Sequence, residues 1–149
     1  MKSYIKVIPS VLESTALSDG NKQFLREVGL LDDPASHLRP LAVPRVLADG
    51  SIQVATEGDV APIVVLSDGS VRMLDGSVGR FVNTTLRQFA AAMEVYEEHY
   101  SRGGSALEPP SREDARRLRE ALKRVDPTCF SDRESYWSVI VEQVRDGLL

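Results

Sequence analysis

Leu41 to Val82 reads LAVPRVLADGSIQVATEGDVAPIVVLSDGSVRMLDGSVGRFV. Within it lie short runs rich in Val, Ile and Leu, at Leu41–Ala48, Ser51–Thr56, Ala61–Leu66, Ser70–Leu74 and Gly79–Val82. Ala48-Asp49-Gly50, Glu57-Gly58-Asp59, Ser67-Asp68-Gly69 and Asp75-Gly76 separate them. Glycine accepts positive φ at little steric cost and aspartate tolerates it, so Asp-Gly pairs suit tight hairpins. Three such pairs between β-rich runs predict an antiparallel meander. Pro44 and Pro62 each remove a ladder donor and are expected at edges, strand starts or bulges.

Helical spacing appears on both sides of this stretch. Upstream, residues 19–29 are expected to form a helix capped by Ser18 or Asp19, with Phe24, Leu25 and Val28 at helical intervals and Gly29 ending it. Leu30-Leu31-Asp32-Asp33-Pro34 then reads as a loop, because Pro34 disfavours helix at Asp33. Downstream, a helix over residues 84–100 is expected behind Asn83 as its cap, with Leu86, Phe89, Ala90, Met93 and Tyr96 on one buried stripe. Gly103-Gly104 breaks it and Pro109-Pro110 closes a loop. Ser111 then starts a helix with Ala115, Leu118, Leu122 and Val125 inward, ended by Asp126-Pro127. Ser131-Asp132-Arg133-Glu134 has a capping-box pattern for a last helix that buries Tyr136, Trp137, Ile140, Val141 and Val144. A run of strands followed by a run of helices indicates an α+β fold rather than a βαβ-wound sheet.

A chain of 149 residues with 42% hydrophobic and 27% charged residues suits one domain with one core, over residues 1–149. The N-terminal stretch lacks the apolar run of a signal peptide, and nowhere do about 18 apolar residues occur in succession, so no membrane association is expected. Cys129 is the only cysteine, which fits a reducing compartment; cytoplasm is the expected location. The net charge of −4 argues against phosphate-backbone binding. That charge is concentrated: Asp49, Glu57, Asp59, Asp68 and Asp75 face a single base, Arg72, between residues 49 and 75. Residues 101–149 carry nine acids and nine bases.

Reactive constellations are sparse. His37 and His99 lack neighbouring ligands and Cys129 has no CxxC partner, so no metal or other cofactor is expected. No GxSxG elbow occurs, and the glycine-rich segments near residues 68–70 and 76–79 lack the lysine of a phosphate loop. No catalytic residue is assigned and the chain is read as a non-enzyme. Arg112, Arg116, Arg117, Arg119, Lys123 and Arg124 alternate with Glu113, Asp114 and Glu120, which reads as ion pairing along a solvated helix face rather than as a nucleic-acid site.

Three segments carry a family resemblance. Arg80-Phe81-Val82-Asn83-Thr84-Thr85-Leu86-Arg87-Gln88-Phe89, continuing to Tyr96, resembles the strand-to-helix signature of SUKH immunity proteins, particularly their fourth group. Asp132 to Leu149, with Tyr136-Trp137-Ser138 and Asp146-Gly147-Leu148-Leu149, is similar to that group's terminal helix. Phe24-Leu25-Arg26-Glu27-Val28-Gly29-Leu30 resembles its opening helix. The likeness spans nearly the whole chain, and departs from the pattern at Leu30–Asp33 and in the glycine-rich break after Tyr100. It implies an α+β fold with a central, mainly antiparallel sheet of about five or six strands packed by about four helices. It also implies an immunity protein that binds a cognate bacterial toxin of a polymorphic toxin system, often a nuclease or deaminase, and blocks it without chemistry.

Toxins acting on nucleic acids present basic clefts, so Asp49, Glu57, Asp59, Asp68 and Asp75 are expected to contribute to a toxin-binding surface. The plainer reading of each is a turn former exposed to water. The expected state is a monomer or weak homodimer. An alternative function is a scaffold or regulatory protein-binding module of the same fold; a small hydrolase would require polar groups converging in a deep pocket.

Overall fold

The computed structural model describes residues 2–58, 61–75, 78–101 and 112–148. Two of its hairpins are built alike, from Leu47-Ala48-Asp49-Gly50-Ser51 and Leu66-Ser67-Asp68-Gly69-Ser70. In each, the glycine N–H donates to the leucine carbonyl three residues back, the leucine N–H donates to the serine carbonyl, and Gly50 or Gly69 alone takes positive φ, +87° and +89°. This is a type I turn closed by a left-handed glycine, a three-residue hairpin connection. The aspartates act differently from expectation: no residue other than glycine has positive φ among the described residues. Asp49 and Asp68 instead accept hydrogen bonds at Oδ1 from the N–H and hydroxyl of Ser51 and Ser70, at 2.6 to 2.9 Å.

These turns link β3 (Leu38–Val46), β4 (Ile52–Glu57), β5 (Ala61–Val65), β6 (Val71–Asp75) and β7 (Val78–Asn83) into an antiparallel sheet in sequence order. Pro40 and Pro44 lie on β3, an edge strand, and the β3–β4 register shifts between Pro40 and Arg45. Each proline removes a donor there, which blunts the edge against strand addition. Pro62 pairs with Thr56 at the start of β5, before pairing with β6 begins at Ile63. One face of the sheet, with Ile63, Val65, Val71, Met73 and Val82, enters the core. Gln53, Val64, Arg72 and Phe81 are cross-strand neighbours on the other face, where the Arg72 guanidinium lies 5.7 Å from the Phe81 ring centroid.

A second sheet pairs β1 (Tyr4–Ile5) with β2 (Leu30–Leu31). Leu30 and Leu31 were expected in a loop; both are buried, and their pairing partner lies far upstream in sequence. Between them stand a one-turn α1 (Pro9–Leu12) and α2 (Asp19–Glu27). Ser18 caps α2 by accepting from Asn21 N–H at 3.2 Å. Gly29 then turns left-handed at φ +81°, packed against the Ile5 carbonyl. Val28 does not join the helix's inward stripe: it is 47% exposed, because α2 ends before it.

Helices α3 (Leu86–Tyr96), α4 (Arg112–Val125) and α5 (Tyr136–Arg145) cover the core face; a π-helical turn (Glu97–Ser101) extends α3 and a 3-10 turn (Pro127–Phe130) follows α4. The expected stripes are buried, except Val125, which is half-buried. Two caps are corrected. Thr85, not Asn83, caps α3 by accepting from Gln88 N–H at 3.1 Å. Asn83 is the last residue of β7, fully buried, and bonded elsewhere. Ser135, not Ser131, occupies the cap position of α5. Ser131 instead donates to Thr128 carbonyl and Ser135 to Cys129 carbonyl, tying that loop to the 3-10 turn. The break at residues 102–110 and the start at Ser111 lie outside the described residues.

Asp126 joins these elements. It is 1% exposed, and its carboxylate accepts from Asn83 Nδ2 at 3.0 Å, Thr84 N–H at 2.7 Å, Thr84 Oγ1 at 3.0 Å and Thr128 N–H at 3.2 Å. Trp137 Nε1 donates to Asn83 Oδ1 at 2.9 Å.

Trp137→Phe leaves a buried acceptor unsatisfied and is expected to cost about 1–3 kcal/mol, more if a cavity remains. Urea unfolding followed by circular dichroism measures it; a loss under about 0.5 kcal/mol contradicts the hub. Gly29→Ala combines left-handed strain with a clash against Ile5 and should lose at least about 2 kcal/mol. Gly20→Ala, with nothing within 4 Å of the added methyl, should stay within about 1 kcal/mol of the parent.

Candidate partner-binding surfaces

An antiparallel meander puts successive turns at alternate ends of its sheet. The β3–β4 and β5–β6 turns therefore share one end, and carry Asp49 and Asp68 about 10 Å apart, two strand spacings. The β4–β5 and β6–β7 connections share the other end, about 20 Å away along a six-residue strand. Glu57 closes β4 and Asp75 closes β6 at that end; Asp59 lies outside the described residues. The four described acids thus fall at two ends of the sheet rather than in one continuous patch.

Their surroundings differ. Asp49 and Asp68 are exposed and held by their serines, whose hydroxyl and N–H bonds draw both carboxyls below the ordinary aspartate value. Near them, a cleft of about 420 Å³ is bordered by Gly50, Asp68, Leu17, Ser18 and Thr85. At the other end, Asp75 lies 3.8 Å from Arg80 Nη2, so part of its charge is neutralised locally. Glu57 is half-buried and near enough to Tyr136 to add to the burial that pushes its phenol up.

Cys129 is fully buried, and burial, aided by Asp126, pushes its thiol up to about 12, far from a reactive thiolate. Four clefts of about 270 to 440 Å³ among the described residues are lined by neither histidine nor cysteine. Among the described residues no group of three His, Cys, Asp or Glu side chains could hold a metal ion. No helix among them is long and apolar enough to cross a membrane.

Sequence reading missed the Asp126 hub. Asp126 was visible only as a helix terminator before Pro127, and Trp137 only as an apolar anchor. Its donors come from residues 83, 84 and 128, so no local signal united them. Of the arginine cluster, the expected pairing does form: Glu113 bonds Arg116 at 2.6 Å and Arg117 at 3.3 Å.

A family model described as SUKH-4 immunity protein matches residues 3–143 of the chain. No curated protein matches it. No solved structure does either.

A carboxyl whose folded value is depressed contributes stability above its unfolded value and loses it as pH falls through the folded one. NMR titration should therefore place Asp49 and Asp68 midpoints below about 3.9, the unperturbed value. Ser51→Ala should raise the Asp49 midpoint and leave Asp68 unchanged. A wild-type midpoint at or above that value would contradict the turn geometry.

Proposed function

The chain belongs to the SUKH-4 immunity protein family, and from that premise we propose that it neutralises a cognate nuclease or deaminase toxin of a polymorphic toxin system. The family match over residues 3–143 is the observation that carries this reading. Inhibition works by occupation rather than by chemistry: the immunity protein covers the toxin's substrate cleft and turns nothing over. It acts as a single domain in the cytoplasm, as a monomer or weak homodimer, without a cofactor.

Charge supports the choice of toxin. An enzyme that acts on nucleic acid concentrates positive charge in its cleft, and a partner of opposite sign is steered into it at rates above the neutral case. Asp49 and Asp68, side by side on rigid turns, offer two fixed carboxylates of this kind. Each turn is closed through Oδ1 of its aspartate. Glu57 and Asp75 supply a second acidic group at the opposite end.

Co-expression with the product of the neighbouring gene tests the reading: the chain should bind that product and rescue growth. Absence of both binding and rescue rejects it. Two paired variants then locate the contact, because asparagine keeps the Oδ1 acceptor and removes only the charge. Asp49→Asn/Asp68→Asn should slow association about tenfold at low salt and flatten its salt dependence. Glu57→Gln/Asp75→Asn probes the other end. If neither pair alters the association rate, the acidic surface is not how the toxin is met.

A further inference from the structure

Helices α4 and α5 run antiparallel, and between them lies an open groove of about 370 Å³. Arg112, Arg116 and Arg119 project into it from α4, Arg145 from α5, and Arg133 from the loop before α5. Its floor is apolar, formed by Ala115, Phe130 and Val141. Three α4 arginines of the sequence reading, Arg112, Arg116 and Arg119, therefore do more than solvate a helix face. Folding adds Arg133 and Arg145, far away in sequence, to the same strip. We propose that this groove is a docking site for an acidic segment of a partner protein, one that carries an apolar side chain among its carboxylates.

The charge balance favours such an occupant. Five guanidiniums line the groove against one carboxylate, Glu142; Glu113 and Asp146 stand at its rim. Arg116 pairs with Glu113 at 2.6 Å, and Arg145 with Asp146 at 3.0 Å and Glu142 at 3.4 Å. All these partners are solvent-exposed, so the pairs are weak and readily exchanged for carboxylates arriving from outside. Arg119 is held differently. Its guanidinium stacks 4.9 Å from the Phe130 ring centroid, which fixes a cation directly above the apolar floor.

Size and composition separate a protein segment from the other polyanions. From Arg112 to Arg119 the groove runs about 10 Å, the reach of roughly three extended residues. Arginine ringing an apolar floor is the composition of protein-interface hot spots. A phosphate backbone would gain nothing from the floor, and the carboxylates of Glu142 in the groove and of Glu113 and Asp146 beside it repel a continuous line of phosphates. The site differs in place and sign from the acidic sheet ends and stands independently of the toxin assignment.

The test uses the full chain and a fluorescein-labelled, glutamate-rich peptide containing one leucine, followed by anisotropy. The wild type should bind, with affinity falling as salt rises. Arg112→Glu/Arg133→Glu should weaken binding at least about tenfold, as loss of one strong charge-assisted contact would. Arg116→Gln/Arg145→Gln is a milder pair that guards against misfolding, checked by circular dichroism and melting temperature. Arg26→Glu on α2, which changes the net charge by as much as the milder pair, should leave binding unaltered. Overturning results are no peptide binding at millimolar protein, wild-type affinity in both groove pairs, or tighter binding of a single-stranded oligonucleotide of equal charge. Self-association abolished by the same variants would also overturn it, making the occupant a second copy of this chain.

Discussion

The packing of this molecule turns on a buried carboxylate, Asp126, that no cation bonds among the described residues. Removing an aspartate carboxyl from water is costly unless its oxygens are satisfied. Asp126 meets that requirement with neutral donors: the Asn83 amide, the Thr84 N–H and hydroxyl, and the Thr128 N–H. One side chain thereby caps the 3-10 turn after α4, fixes the end of β7 and stands before the first turn of α3. The helix dipole of α3 favours a negative charge there. Trp137 extends the network into α5 through Asn83. Sheet and helices are therefore aligned by polar geometry, while the apolar contacts around it, with Phe89, Leu118 and Leu122 fully buried, supply the bulk of the driving force.

Such a fixed frame gives the hairpin ends their value. A turn closed by a left-handed glycine and an aspartate bonded to the following serine has few alternative states. Its carboxylate is presented in nearly one position, so less conformational entropy is lost when a partner meets it. Repetition of the same five-residue arrangement at residues 47–51 and 66–70 sets two carboxylates in matching orientation at one end of the sheet. Binding through preorganised backbone and short side chains suits a protein that acts by occupying another's surface.

What could be read in the sequence follows the range of the interactions involved. Hairpins are local, and the Asp-Gly positions placed all five strands of the main sheet within a few residues. Helical stripes are local too, and Leu86, Phe89, Met93 and Trp137 are buried where periodicity put them. Failures cluster where a distant partner decides between equal local choices. Asn83, Thr84 and Thr85 can each cap a helix; Asp126 and Trp137 claim the first, Asp126 claims the second, and the cap falls to Thr85. Leu30-Leu31 offers too short a run to show alternation, and only its pairing with Tyr4–Ile5 makes it a strand. The division of the acids, by contrast, was implicit in the meander. Alternate turns must fall at opposite ends, a consequence of topology that nearness in sequence conceals.

Charge in this fold is unevenly placed. Carboxylates stand at both ends of the sheet, whereas five arginines converge on the groove between α4 and α5. The net charge of −4 therefore describes neither surface. Two fixed surfaces of opposite sign constrain a partner more than either alone, because a molecule that satisfies one in the wrong orientation brings like charge against the other. Specificity then arises from repulsion as well as attraction. Acidic sheet ends alone would attract any basic partner, whereas a partner must also carry negative charge at the matching distance to engage both surfaces.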